Sequence, residues 1–271
     1  MESLKFGIPL IPHTLAGWIL TLIDRIFLNN YQSIAIVGLY SLGYQFGMIM
    51  SLITTSINFA WAPFFMSTAK EKGEDAKPIF KQLTTYYMMA IIFIGLAISM
   101  FAKDVIFLMT TPEYYESYKI IPIIIGSYVL NGMYFMIVNQ IFYTKQTKYL
   151  PIATVGSALI NIVLNYLWIP EYGMIGAAYA TLFSFAFALI FTWIISYRVY
   201  PIHYEYKRIV KIIGAACVVF IISSNISYVN ILLDMAFKSI ILMLFPISLI
   251  ITGVITKSEL KTCYNLTFRV L

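Results

Sequence analysis

The sequence predicts an all-α polytopic membrane protein with eight transmembrane helices. Two observations carry that expectation. Of 271 residues, 61% are hydrophobic and only 11% are charged, where a soluble domain has about 25% charged residues; the mean hydropathy is +0.84. The few charges also punctuate the chain into apolar runs of spanning length, and the basic ones gather on one side.

The first run, Lys5 to Leu28, is long enough to cross a bilayer. It contains Pro9, Pro12 and His13, and near its far end the adjacent pair Asp24 and Arg25. Ionisable residues at membrane depth are costly and default to a functional reading. Prolines remove a backbone donor and bend a helix. A polar turn, Asn29 to Ser33, leads to a second run from about Ile34 to Met66. Fully helical, that run is roughly 50 Å long against a hydrocarbon core of about 30 Å, so it must tilt, kink at Pro63 or project beyond the core.

Ser67 to Gln82 is dense in charge and reads as a hydrophilic loop. Span three follows at Leu83 to Ala102, then the longest outward loop, Lys103 to Lys119, then span four at Ile120 to Tyr143. Span five, Tyr149 to Ile169, places Asn161 and Asn165 one turn apart on one face. Pro170 to Gly173 forms a tight hairpin into span six, Met174 to Tyr197, which opens with the small residues Gly176, Ala177, Ala178 and Ala180. Small residues let membrane helices approach closely. Span seven is Ile212 to Val229 and span eight Leu232 to Thr256, followed by a tail.

Fourteen of the 18 Lys and Arg residues fall on one side, in the N-terminal segment, the loops after spans two, four and six, and the tail; Lys103 and Lys119 fall on the other. By the positive-inside rule that side is cytoplasmic. Both termini then lie there, which requires an even number of spans. The net charge of +6 is therefore topological and no footprint of a nucleic-acid partner. The first run is too long, and too clearly followed by further spans, for a cleavable leader.

Asp24 and Arg25 point about 100° apart on a helix. Arg25 either snorkels to outer headgroups or faces a hydrated lumen and attracts an anion, with Asp24 orienting it or pairing with another helix. His13 is a packing residue or a member of a proton or substrate path. Asn58, Asn131, Asn139, Gln140, Asn161 and Asn165 read either as interhelical hydrogen bonds or as amides of a sugar path. Asp234 and Lys238 stand one turn apart in the favourable order and read as a self-satisfied pair. Trp18, Trp61, Trp168 and Trp193 read either as members of interfacial belts or as packing residues. Metal-ligand spacing, Gly-rich phosphate loops and catalytic sets are missing from the sequence, so no cofactor and no enzyme activity is expected. A membrane polymerase or acyltransferase calls for a large outward loop or an intramembrane His/Asp/Arg cluster, and this sequence has neither.

The stretches GIPLIPHTLAGWILTLIDR (7–25), VGLYSLGYQFG (37–47), WAPFF (61–65) and above all NIVLNYLWIPEYGMIGAAYAT (161–181) give the chain a family likeness. It resembles the Wzx-type polysaccharide and O-antigen flippases, of the superfamily that also contains multidrug extruders. That resemblance implies an extruder-like fold in which residues 1–200 form one six-helix lobe and residues 201–271 form two additional helices and a cytoplasmic tail. Members usually have two such lobes, so this chain corresponds to the second lobe plus the extra pair. The resemblance implies flipping of undecaprenyl-diphosphate-linked oligosaccharide repeat units across the bacterial inner membrane. A multidrug-type exporter is the nearest rival. It further implies a partner: a separately supplied N-terminal lobe or a second copy, unless the chain is a piece of a longer protein. Asp24 and Arg25 match the family's Asp-Arg pair. With them, His13, Asn58 and Asn139 are the expected substrate-binding residues.

Overall fold

The computed structural model describes residues 10–226, 230–256 and 259; in the first helix it describes the side chains from residue 22 onward. The described residues are helical throughout, apart from short turns and one extended linker. Helix α1 is Leu10–Tyr31, α2 is Ile34–Lys72 and α3 is Lys77–Met109. Helix α4 is Ile121–Tyr143, α5 is Leu150–Val199, α6 is Tyr206–Ser224 and α7 is Ile231–Ile251. Among the described residues, four continuous helical stretches are long and apolar enough to cross a membrane: Ile34–Met109, Ile121–Tyr143, Thr147–Val199 and Ile231–Ile251. The first and third of these are double. One folds at the short turn Gly73–Ala76 and the other at Gly173.

Local chemistry sets these boundaries. The Ser33 hydroxyl caps α2 by accepting from the Ile36 N–H, and the Asn230 side chain caps α7 by accepting from Leu232 and Leu233. Proline stands in the first turn of α3, α4 and α5, where its missing N–H costs nothing. Gly173 has φ 54° and ψ −132°, a conformation open to glycine alone at low cost. It turns α5 back on itself: Trp168 packs edge-on against Phe183 at 5.5 Å. A Cβ on Gly176 would lie 2.7 Å from the Trp168 carbonyl oxygen. The Gln32 side-chain amide, from the turn after α1, donates to the Ile169 carbonyl at 3.0 Å and closes the end of the first arm.

Helix α2 packs along α4 through small residues. A Cβ on Gly47 would sit 2.3 Å from the Ile124 side chain, and one on Gly43 would sit 2.6 Å from Ile120. Helix α1 packs on the α5 hairpin, and α3 lies between α4 on one side and α6 and α7 on the other. The hydrogen bonds from Tyr200 to the Gly73 carbonyl and from Tyr143 to the Ala69 carbonyl gather the basic segments at one end of the bundle.

The structure corrects several expected boundaries. The charged stretch 67–82 is no loop: α2 runs on to Lys72 and α3 begins at Lys77. Charges on a helix end that projects into water cost nothing, so they need not mark coil. On the other side α3 continues through Lys103 to Met109, and Pro112–Lys119 forms a 3-10 segment, which shortens the outward loop. Trp61 is 7% exposed and belongs to no belt; its indole N–H donates to the Met136 carbonyl at 3.4 Å among the rings of Phe64, Phe65 and Phe80.

The Asp234–Lys238 pair is also larger than expected. The Lys238 ammonium lies 2.6 Å from Asp234 and 2.5 Å from Asp104 of α3, with all three residues buried. Asp104, assigned to a loop from sequence, is thus an interhelical ligand of Lys238. At the basic end a second charged cluster ties α3 to the start of α6 and to Glu259. Arg208 bridges Glu205 at 2.9 Å and Glu259 at 3.1 Å; Thr85 donates to Glu205 and Tyr86 to Glu259, each at 2.8 Å. Burial pushes the Glu259 carboxyl up. The hydrogen bonds it accepts from the Thr256 N–H, the Tyr86 and Thr256 hydroxyls and Arg208 outweigh that and hold it at about 2.

Removing one partner from a buried ion cluster leaves an uncompensated charge, at about 3–5 kcal/mol. Lys238→Met is expected to lower stability by that order, measured as thermal unfolding of the protein in detergent. The exposed Lys70→Met should stay within about 0.5 kcal/mol of wild type. Equal melting of the two variants would show that Lys238 holds nothing.

Candidate functional site

The site begins with two adjacent residues on α1 that point different ways. Asp24 is fully buried and faces the bundle. Its Oδ2 accepts hydrogen bonds from the Tyr40 hydroxyl of α2 at 2.6 Å and from the Thr181 hydroxyl of the second α5 arm at 2.8 Å. Its Oδ1 accepts from the Asn165 amide of the first arm at 2.6 Å, and the same amide donates to Asn161 Oδ1 at 3.1 Å. A buried carboxylate needs such partners, because an unpaired one is prohibitively costly in a low-dielectric interior. Asp24 therefore joins α1, α2 and both arms of α5.

Arg25, half-buried, turns toward α2 instead. Its Nε donates to the Ser41 hydroxyl at 3.2 Å. The guanidinium carbon lies 4.8 Å from the centre of the Tyr44 ring and 5.8 Å from that of Tyr40, within cation–π range. Tyr44 is fixed in turn by the Tyr128 hydroxyl of α4, which donates to its own at 3.1 Å, and by an edge-on ring contact. The result is an arginine held on aromatic faces, six residues before the end of α1, or about 9 Å along the helix.

The buried cluster around Asp24 carries one formal charge, that of the carboxylate. Asn161 Nδ2 and Asn165 Oδ1 are buried within it and make no hydrogen bond. The described residues include no group of three or more His, Cys, Asp or Glu side chains placed to hold a metal ion.

The other expected site residues lie elsewhere. Asn58 of α2 and Asn139 of α4 face one cleft of about 480 Å³, with Ala62, Met66, Tyr134 and Phe135 among its walls. Asn139 donates to the Phe135 carbonyl at 2.8 Å, while Asn58 Oδ1 is buried without a hydrogen bond. Asn58 is 14 residues beyond Tyr44 on α2, close to four full turns and roughly 20 Å along the axis. The amide cleft and the arginine cage thus occupy one side of α2 toward opposite ends. His13 is a helical position of α1 whose side chain lies outside the described residues.

Sequence reasoning passed over Tyr40, Ser41, Tyr44, Tyr128 and Thr181. A signal was present for the first three: tyrosines one turn apart around a serine, beside Gly43 and Gly47. Thr181 had none, being 157 residues from its partner.

Residues 1–69 match the family described as polysaccharide biosynthesis protein. Over 184 residues the chain is 26% identical to protein 1 of the Lsg locus of Haemophilus influenzae, covering 64% of this chain and 45% of that protein. It is 21% identical over 174 residues to a Haloferax volcanii protein named "Probable low-salt glycan biosynthesis flippase Agl15", covering 64% and 37% respectively. The structure of the lipid II flippase MurJ in its inward closed conformation matches with a TM-score of 0.70 at 15% identity, over 90% of this chain and 53% of that one. The chain resembles polysaccharide flippases and shares the MurJ fold, and it spans less than half the length of these curated relatives.

Asp24→Ala would leave the Tyr40 hydroxyl buried without an acceptor, at about 1–3 kcal/mol, and would leave the Asn165 amide and the Thr181 hydroxyl only their bonds to Asn161 Oδ1 and the Ala177 carbonyl. The expected result is a large fall in thermal stability in detergent. Asp24→Asn, which keeps an acceptor for the two hydroxyls, should lose clearly less. If Asp24→Ala melts like wild type, the network does not hold the helices together.

Proposed function

We propose that this chain supplies the second lobe, with two additional helices, of a flippase for lipid-linked oligosaccharides. The observation that carries the reading is Arg25, a cation held at membrane depth on the Tyr44 face and beside the Ser41 hydroxyl. A guanidinium recognises phosphate oxygens through paired N–H donors and keeps its charge at any working pH. Its place in a chain that resembles polysaccharide flippases makes a diphosphate the matching anion. The substrate in this reading is an undecaprenyl-diphosphate-linked repeat unit for O-antigen, capsule or exopolysaccharide, moved from the cytoplasmic to the outer leaflet of a bacterial inner membrane.

The parts divide the work. Arg25 takes the diphosphate. The Asn58–Asn139 cleft, with its amides and aromatic walls, takes sugar hydroxyls and ring faces. The lipid tail stays in the bilayer. The Asp24 network holds α1 against α2 and α5. The other wall of the path comes from a first lobe or a second copy of this chain, and alternating access rocks one lobe against the other. A multidrug-type exporter fits less well. It would offer carboxylates to lipophilic cations, and Asp24 is buried and already accepts three hydrogen bonds.

The test uses a flippase-deleted host that makes a cognate repeat unit. The chain is expressed alone and together with a first lobe, and surface polysaccharide is assayed. Polymer from the chain alone would mean that a second copy completes the path; polymer only with the first lobe would make it half a transporter. In whichever arm works, Arg25→Ala is expected to cut polymer at least about tenfold at normal protein level, the loss of a charge-assisted contact of about 1.5–3 kcal/mol, with Arg25→Lys intermediate. Full activity of Arg25→Ala would end the anion-binding role, and no polymer in either arm would end the flippase reading.

A further inference from the structure

The amide cleft between α2 and α4 has a wall poor in polar groups. Ala62, Met66, Val138 and Phe142 present hydrocarbon, and Tyr134 and Phe135 present rings. Apart from the Tyr134 hydroxyl, the polar side chains of the wall are those of Asn58 and Asn139. A sugar bound there has to match that scarcity.

The two amides offer opposite atoms. Asn139 Nδ2 is committed to the Phe135 carbonyl at 2.8 Å, which leaves its Oδ1 to accept. Asn58 Oδ1 is buried without a hydrogen bond, so its Nδ2 is the atom left to donate to a ligand. One acceptor and one donor on neighbouring helices are the complement of a secondary amide, which presents one N–H and one C=O. The hydrocarbon beside them suits a methyl group. A pyranose ring covered in hydroxyls suits the cleft less. Most of its hydroxyls would lose water and meet Met66, Val138 or Phe142, and a buried polar group without a partner is costly.

We propose that the cleft takes the acetamido group of an N-acetylated sugar. Asn139 Oδ1 accepts its N–H, Asn58 Nδ2 donates to its carbonyl oxygen, and its methyl packs among Ala62, Met66 and Val138. This narrows the flippase reading from sugars in general to an acetamido sugar, and rests on that reading. The cleft stands roughly 20 Å from the arginine cage along α2. A substrate that engages both therefore places in the cleft a sugar further along the oligosaccharide, not the one joined to the diphosphate.

The test measures binding to the purified full chain in detergent, by saturation-transfer NMR. The probes are methyl N-acetyl-β-glucosaminide, methyl β-glucoside and methyl β-glucosaminide, the last with a free amine. The acetamido glycoside is expected to bind at least about fivefold more tightly than the other two, the worth of about one net hydrogen bond. Its acetyl methyl protons should receive the most saturation. Asn139→Leu and Asn58→Leu should each remove the preference, and Ala62→Phe, which fills the cleft, should remove binding of every probe. Equal binding of the acetamido glycoside and the glucoside by wild type would overturn the assignment, as would binding of neither. A preference that survives both Asn139→Leu and Ala62→Phe would place the acetamide elsewhere and overturn it too. Surface polymer is read separately. Polymer without the preference ends the acetamido assignment and leaves the flippase reading standing; the preference without polymer does the reverse.

Discussion

A carboxylate can stay in a bundle surrounded by hydrocarbon only if its oxygens are occupied, and α1, α2 and the α5 hairpin meet where those of Asp24 are. The groups that occupy them come from α2 and from both arms of α5. Three segments distant in sequence are thereby fixed against α1. Burial of this group is a liability taken alone; breaking a buried network costs far more than forming it gains. Its structural value is specificity: neither a sliding of α1 along the hairpin nor a rotation about its axis preserves all three bonds. The direction of Arg25 follows. With Asp24 locked inward, the next residue is rotated by about 100°, onto the tyrosine face of α2.

The same accounting explains how α6 and α7 attach. Lipid-facing helices have little hydrophobic drive to associate, since lipid tails are as apolar as their side chains. Polar ties therefore matter more than in water. The pair is fastened to α3 at both ends, by Lys238 between Asp104 and Asp234 at one and, at the other, by Thr85 and Tyr86 of α3, which donate to the Glu205 and Glu259 carboxylates that Arg208 bridges. Two clasps about 20 residues apart along α3 resist tilting of α6 and α7 as well as their separation from it.

How much of this was legible in the sequence depended on range. The α5 hairpin was, because Pro170, Gly173 and the small residues after it act within a few positions of one another. The helical runs were, because charge is rare enough to mark their ends. That same rule failed for Asp104 and for the 67–82 stretch. It treats every charge as leaving the helix, whereas Asp104 stays inside by meeting Lys238, 134 residues away, and Lys70 and Lys72 stay helical in a segment that projects beyond the apolar core. Asp24 and Arg25 stood out as anomalies, yet their partners did not, since tyrosine, serine and threonine in an apolar run announce no partner. Asn161 and Asn165 were seen as one face; what that face meets is a fact of the fold.

Helix α2 draws these strands together. Its 39 residues make roughly 58 Å of helix, about twice the hydrocarbon thickness, and it carries both the arginine cage and half of the amide cleft. Between Asn58 and Met66, two of the residues lining that cleft, lies Pro63. A proline inside a helix removes one hydrogen bond and clashes with the carbonyl four residues earlier, so bending concentrates there. The cage, more than four turns away, is clamped by Tyr128 and by the close approach of Gly43 and Gly47 to α4. A bend at Pro63 therefore changes the shape of the cleft while leaving the cation in place, so the cleft and the arginine cage differ in stiffness although one helix carries both.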